Sequence, residues 1–394
     1  MADPVDAPAD TRSPVRPTGG EEEDSKGPKP GSALCLSGGG YRAMVFHLGA
    51  IWRLYECGLL GRLSRVSSVS GGSITAGLLA LRWQAITPVA PERGRFEREM
   101  VAPIRALASK TLDVWSVVKG VFLPGRISDY FAATLDKDLY GGATLQDLPD
   151  DQNGPRFVIN ATNLKSGVLW RFSKPYMGDY RTGRVFNPVF SLARAVAASS
   201  GFPPVLAPLA FSLDPATIKV EEGNDLHFPP FTTEIRLADG GVYDNLGLET
   251  AWKNYRTVFV SDAGGKMAAE RNPWTDWASL SYRILMMTYQ GVVTLRKRQV
   301  IASFTAPPEE VVHRDGAYWG VASHVADFKL VDPMQVSPDG AADMAAIPTR
   351  LKAMEPTLQE RLINWGYAIT DTAIRKWVDP QIAKGAIPYP NSPI

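Results

Sequence analysis

Two short segments of this 394-residue chain carry residue types that could perform acyl transfer. Residues 37–42 read Ser-Gly-Gly-Gly-Tyr-Arg, and residues 69–73 read Val-Ser-Gly-Gly-Ser. Uncovered backbone N–H groups in a glycine loop can stabilise an oxyanion, and a serine hydroxyl can attack an acyl carbonyl. The two segments therefore resemble two halves of one site, with Ser70 as the candidate nucleophile.

The elements that must position these segments can be inferred from the residues around them. Residues 33–36 and 66–69 are typical of short strands, whereas residues 43–57 and 74–83 have the apolar spacing of helices. Each segment thus lies in a strand–loop–helix unit, and Ser70 lies on the sharp turn of the second unit. Such a nucleophile elbow needs small neighbours, which Gly71 and Gly72 provide, although Ser68 stands where the elbow usually has glycine.

Each segment also has a simpler interpretation when taken alone. A glycine cluster after a strand can bind phosphate, but this one lacks the Lys-Ser or Lys-Thr pair of a P-loop and the spacing of a dinucleotide site. The serine segment could be an ordinary turn. The close succession of two strand–loop–helix units favours the acyl-transfer interpretation.

The best candidate for a base is Asp239. It follows residues 233–238, which are typical of a strand, and precedes Gly240 and Gly241. An aspartate held by a glycine turn could approach a serine hydroxyl directly, but its ordinary pKa near 4 makes it a weak base unless desolvation raises that pKa. The alternative is an Asp-Gly turn that only ends a strand.

Together these blocks resemble the patatin-like phospholipases, which are related to the cytosolic phospholipase A2 catalytic domain. A further block at residues 197–205 resembles the alanine-rich helix and proline turn of that family, so the resemblance spans about residues 33–250. It implies a Ser70–Asp239 dyad and an oxyanion hole formed by Gly38, Gly39 and Gly40. It also implies that Arg42, Gly71 and Gly240 support the site.

Other acids and histidines leave alternatives open. Asp262 ends a predicted buried strand at residues 257–261 and ranks second as the base, and Asp244 ranks third. A Ser-Asp-His triad is formally possible because His313 and His324 follow Asp239, and His324 is the likelier of those two partners. His47 is expected to be a core histidine or one that supports the site.

Composition limits the remaining possibilities. The chain is 45% hydrophobic with a formal net charge of +1, so a large core is expected and nucleic acid is not an expected partner. Alternating strands and helices predict an α/β three-layer sandwich with a mostly parallel central sheet. We expect residues 1–31 to be a disordered tail and residues 32–394 to form one catalytic domain. No metal or other cofactor is expected, and Cys35 and Cys57 are expected to be reduced core thiols.

Lipid hydrolysis would require contact with an interface. Residues 104–123 could be an amphipathic helix within a lid insertion at about residues 84–135, or they could pack on the core. A second helix at residues 280–300 ends in three basic residues that could attract anionic headgroups. No secretory signal or membrane-spanning run is recognisable, which predicts cytoplasmic residence with transient membrane contact.

The expected function is phospholipase A-type hydrolysis of fatty acyl esters through an acyl-serine intermediate. A soluble carboxylesterase or thioesterase with the same dyad is one alternative. A non-catalytic lipid-binding or regulatory protein with the same fold is the other.

Overall fold

The structure is a computed structural model that describes residues 28–394 except 88–89, 113–124, 203–205, 207, 221–223, 266 and 274. The first strand, β1, spans Lys29–Leu36, so it includes the last residues assigned to the tail. Residues 1–27 of that tail lie outside the described residues. The proline turn at residues 203–205 lies outside them as well.

The described residues form an 11-stranded sheet with helices between and around its strands. The remaining strands are β2 Leu63–Ser68, β3 Arg156–Asn163, β4 Leu169–Phe172, β5 Tyr176–Asp179, β6 Gly183–Phe186, β7 Leu209–Ser212, β8 Ile218–Lys219, β9 Glu234–Asp239, β10 Tyr255–Asp262 and β11 Asp315–Gly320. The α-helices are α1 Gly40–Glu56, α2 Gly71–Ile86, α3 Arg93–Phe96, α4 Ala102–Ala108, α5 Gly125–Leu135, α6 Leu192–Ser199, α7 Gly241–Asp244, α8 Glu249–Trp252, α9 Trp277–Thr305, α10 Pro338–Ala346 and α11 Pro356–Trp377.

The centre of the sheet is parallel, in the order β11-β10-β1-β2-β3. Beyond β3 the strands pair antiparallel, and β9 also joins β3 in an antiparallel pair. This arrangement confirms the expected α/β sandwich with a mostly parallel central sheet. It also brings the end of β9 beside the ends of β1 and β2. On β3, Ile159 pairs with Ser68 at the end of β2, and Ala161 pairs with Asp239 at the end of β9, which runs in the opposite direction.

Alternate residues of β1 face two different cores, as a sheet covered on both faces requires. Leu34 and Leu36 belong to the larger core, which α1 and α11 also line. Ala33 and Cys35 point to a smaller core on the other face, which includes Val300 of α9. Cys35 and Cys57 are both free thiols.

The described part of the expected lid insertion packs against the protein core instead of projecting from the surface. The apolar side chains of α3, α4 and the π-helical turn between them are buried in the larger core, among them Phe96, Met100, Ile104 and Leu107. Leu112 is buried there too. The packing alternative therefore holds for residues 104–112, and residues 113–123 lie outside the described residues. Among the helices that the structure describes, none combines the length and the apolar character needed to cross a membrane.

Candidate active site

Ser70 lies on a sharp turn between β2 and α2. Its backbone has φ 52° and ψ −123°, a conformation that a residue with a side chain adopts only under strain. The turn is held against the glycine loop: a Cβ added to Gly71 would lie 2.1 Å from the carbonyl oxygen of Gly40. Glycine is therefore required at position 71, and this close approach joins the two segments predicted to form one site.

A chain of hydroxyl groups supports the turn. The N–H of Ser70 donates to Oγ of Ser199 (2.9 Å), Oγ of Ser199 lies 3.0 Å from Oγ of Ser73, and Ser73 donates to Oγ of Ser68 (3.0 Å). Ser68, which replaces the usual elbow glycine, thus accepts a hydrogen bond in a buried position. Sequence reasoning missed Ser73 and Ser199, although both lie in the quoted blocks.

Asp239 is the last residue of β9 and is buried beside Ser70. Its Oδ1 accepts the N–H of Gly241 at 2.7 Å. Burial raises the pKa of Asp239 to about 7, while hydrogen bonds from Gly241 and the Ser70 side chain oppose that rise. A carboxyl with this pKa can exchange a proton with a serine hydroxyl near neutral pH.

The turn after Asp239 is fixed by the same part of α6 that supports Ser70. The N–H of Gly240 donates to the carbonyl of Ser199 (3.3 Å), and the N–H of Asp239 donates to that of Gly201 (3.1 Å). A Cβ on Gly240 would lie 2.4 Å from the carbonyl oxygen of Asn160. Ser199 therefore supports both turns of the site, since its side chain contacts Ser70 and its backbone contacts Gly240, the residue after Asp239.

The glycine loop does not leave all three of its N–H groups free. The N–H of Gly38 donates to the backbone carbonyl of Asn245 at 3.1 Å. Within the described part of the chain, no hydrogen bond occupies the N–H of Gly39 or of Gly40. Gly39 has φ +148° and lies so close to the Ala263 carbonyl that a Cβ would come within 2.7 Å of it. The arrangement leaves Gly39 and Gly40 as the available donors.

Arg42 is buried and connects this loop to two other segments. Its guanidinium donates to the carbonyl of Ala263 (2.8 Å from Nη2), to that of Ala345 (3.1 Å) and to that of Ile347. Burial lowers the pKa of Arg42 to about 10. These contacts hold Arg42 in place beside the glycine loop, and its role as a support of that loop remains a prediction.

The two competing acids are occupied elsewhere. Asp262 forms an ion pair with Lys297, accepts the hydroxyl of Tyr318 at 2.6 Å and accepts the N–H of Gly264 at 2.9 Å. Although burial opposes ionisation, Lys297 and Tyr318 hold its pKa below the ordinary value. Asp244 accepts the backbone N–H groups of Leu246 and Glu249.

The histidines have other contacts. His47 is fully buried between the carbonyl of Ser37 (2.9 Å) and the hydroxyl of Ser261 (2.8 Å), and burial lowers its pKa to about 4. His313 contacts the carbonyl of Ala306 and the carboxylate of Asp315. His324 lines a surface cavity near the C-terminus. None of the hydrogen bonds between described residues joins a histidine to the candidate dyad.

The fold agrees with comparisons against known proteins. The model of the family "Patatin-like phospholipase" matches residues 34–252, which is more than half of the chain. The chain therefore belongs to the patatin-like phospholipase family. That membership supports lipid acyl hydrolase activity.

Solved structures with a similar fold include human GIVD cytosolic phospholipase A2. It is 16% identical with a TM-score of 0.52, and the match covers 87% of this chain but only 58% of that protein. The same human enzyme in complex with methyl gamma-linolenyl fluorophosphonate is 17% identical with a TM-score of 0.49, covering 87% and 57%. No curated protein sequence matches the chain.

Proposed function

We propose that this protein is a phospholipase A-type hydrolase that cleaves fatty acyl esters of phospholipids through a Ser70–Asp239 dyad. The observation that carries the proposal is the strained Ser70 turn beside a buried carboxyl with a pKa of about 7. The family to which the chain belongs supplies the lipid substrate class.

In the proposed reaction, ionised Asp239 takes the proton of the Ser70 hydroxyl while Oγ attacks the acyl carbonyl carbon. The N–H groups of Gly39 and Gly40 stabilise the oxyanion, and each such donor is typically worth about 3 kcal/mol. Collapse of the tetrahedral intermediate breaks the ester bond. Protonated Asp239 returns the proton to the leaving lysophospholipid oxygen, which leaves an acyl ester on Ser70.

A water molecule then hydrolyses the acyl-serine. Asp239, ionised again, takes a proton from a water molecule that attacks the carbonyl carbon of the acyl-serine. When the second tetrahedral intermediate breaks its bond to Oγ, Asp239 returns that proton to Ser70 and the free fatty acid leaves. One carboxyl thus serves as base and acid in both halves of the reaction. A pKa near 7 suits it for both roles at neutral pH, whereas an aspartate at its ordinary pKa would be a poor base.

We further propose that the chain acts on lipids at the surface of a bilayer. Cytoplasmic residence and the single catalytic domain preceded by a tail remain predictions from sequence.

The test is incubation of the purified protein and of Ser70→Ala with mixed phospholipid vesicles, with mass spectrometry of released fatty acids and lysolipids. The proposal predicts release that depends on Ser70. Activity confined to monomeric esters would favour a soluble esterase or thioesterase instead. A Ser70 that neither turns over nor reacts with a fluorophosphonate would favour a non-catalytic protein.

A further inference from the structure

The first half of helix α9 carries several large apolar side chains that the described structure leaves wholly or partly exposed. Trp277 is 82% exposed, Ile284 is 53% exposed and Met287 is 59% exposed. Three more large side chains in this half are exposed, and they are Leu280, Tyr282 and Leu285. We call residues 277–287 the apolar arm. Farther along the helix, Leu295 and Ile301 are exposed as well, but Val293 and Val300 are buried, so the second half anchors the arm to the body of the protein.

The apolar residues of the arm are not confined to one stripe. At 100° per residue, the six exposed side chains spread over roughly 220° of the helix circumference. A helix that packs on a protein surface usually presents a narrower apolar face, whereas a helix that is apolar around most of its surface belongs in an apolar medium. The hydrocarbon and headgroup boundary of a lipid bilayer can surround such a helix.

The charges of α9 are compatible with a phospholipid surface. Its sequence from Trp277 to Thr305 contains no acidic residue and four basic ones. Three of the four form ion pairs within the protein: Arg283 with Glu270, Arg296 with Glu249 and Lys297 with Asp262. Arg298 is exposed and forms no ion pair with another described residue. Nothing within the helix itself would repel anionic headgroups, and Arg298 would attract them.

The arm ends close to the candidate active site. Directly after it along the helix, the ring of Tyr289 packs edge-to-face on Phe202 at 5.6 Å, and the side chain of Gln290 donates to the carbonyl of Gly265 (2.7 Å). Gly265 belongs to the loop after β10, and Phe202 directly follows Gly201, whose carbonyl accepts the N–H of Asp239. A bilayer bound by the arm would thus lie beside the candidate dyad.

We infer that the apolar arm inserts into the interfacial region of a phospholipid bilayer and holds the candidate active site at its surface. The inference rests on the proposed function for the identity of the lipid as substrate. The binding step itself requires no catalysis, so the two can fail separately.

The experiment measures binding of the full chain, carrying Ser70→Ala, to vesicles of phosphatidylcholine alone and of phosphatidylcholine with phosphatidylglycerol. Flotation compares it with a triple arm variant, Trp277→Ser, Ile284→Ser and Met287→Ser. A control variant carries Val189→Ser and Val331→Ser, which are at least as exposed as the three arm residues but lie outside α9. Circular dichroism checks that each variant is folded, which is expected because every substituted side chain is exposed.

We expect the arm variant to bind at least about 100-fold more weakly, since burial of the exposed part of each of the three apolar side chains is worth about fivefold or more. The control should bind like the parent, and phosphatidylglycerol should strengthen binding in a salt-sensitive manner. Equal binding by the arm variant and the parent, or no binding by the parent, would overturn the inference. A concentration-dependent dimer that the arm substitutions dissociate, without an effect on vesicle binding, would overturn it in favour of a second copy of the chain.

Hydrolysis of a monomeric short-chain ester by the parent chain with Ser70 intact separates the two proposals. Ester hydrolysis without vesicle binding would contradict the arm alone. Vesicle binding without any Ser70-dependent hydrolysis would contradict the proposed function alone.

Discussion

Replacing Asp239 with asparagine should abolish activity and stabilise the folded protein. The buried Asp239 carboxyl has a pKa of about 7, against an ordinary value of 3.8. Between these values the folded protein keeps the proton while the unfolded chain releases it. The contribution of Asp239 to stability therefore falls as the pH rises from about 4 to about 7.

The size of this effect follows from the pKa difference. About three pKa units correspond to about 4 kcal/mol, because each unit is worth about 1.4 kcal/mol. Asparagine has a similar shape, its Oδ1 can still accept the N–H of Gly241, and it carries no charge to be desolvated. We therefore expect Asp239→Asn to be more stable than the wild type by up to about 4 kcal/mol at pH 8, with a smaller gap at pH 5.

Urea unfolding at pH 5, 6, 7 and 8, followed by tryptophan fluorescence, measures this gap. Asp343→Asn is the control, because Asp343 has an exposed side chain and should leave the pH dependence unchanged. Hydrolysis of a monomeric ester should fall at least about 10³-fold in Asp239→Asn. In the wild type, kcat/KM should rise with pH and level off above a midpoint near 7. Parallel stability curves for the wild type and Asp239→Asn, or retained activity in that variant, would refute this reasoning.

Three other substitutions test the supports of the site. Ser199→Ala removes the acceptor of the Ser70 N–H and should lower kcat in an ester assay by roughly 10- to 100-fold, because Ser70 would be misplaced. Ser200→Ala is the control and should stay active, since the Ser200 hydroxyl bonds only within its own helix turn. Gly71→Ala places a Cβ 2.1 Å from a backbone oxygen, so it should lower stability by roughly 1–3 kcal/mol and remove most of the activity. Gly61→Ala is the control and should change neither, because its Cβ would meet nothing within 4 Å. Thermal unfolding and the same ester assay measure both effects. His324→Ala should keep its activity, and a loss comparable to that of Ser70→Ala would instead favour a triad.

The local elements around the site could be predicted because their signals are local. Glycine loops between an apolar strand and an apolar-rich helix indicate the turn chemistry directly, and the structure has β1, α1, β2 and α2 at those places. The sequence did not predict the burial of Asp239; it showed only that Asp239 would have to be desolvated to act as a base. The cause of that burial is the antiparallel pairing of β9 with β3, which joins residues almost 80 positions apart and leaves no periodic signal in either strand.

The supports of the site could not be predicted for the same reason. Ser199 lies 129 residues from Ser70 in sequence, and a serine at the end of an alanine-rich helix gives no indication of its partner. The occupied N–H of Gly38 depends on the carbonyl of Asn245, which arrives from a distant loop. Likewise, the composition of α9 predicted a helix, but its exposed half is evident only from the position of the helix on the fold.

The central claim is that Ser70 is an activated nucleophile whose base is Asp239. Its most direct test is the rate of labelling by an alkyl fluorophosphonate, followed by intact-mass measurement and peptide mapping, in the wild type, Ser70→Ala and Asp239→Asn. The account predicts one adduct per chain, on Ser70, which is absent from Ser70→Ala and forms far more slowly in Asp239→Asn. An adduct on another residue, no adduct on the wild type, or equal rates in the wild type and Asp239→Asn would contradict it.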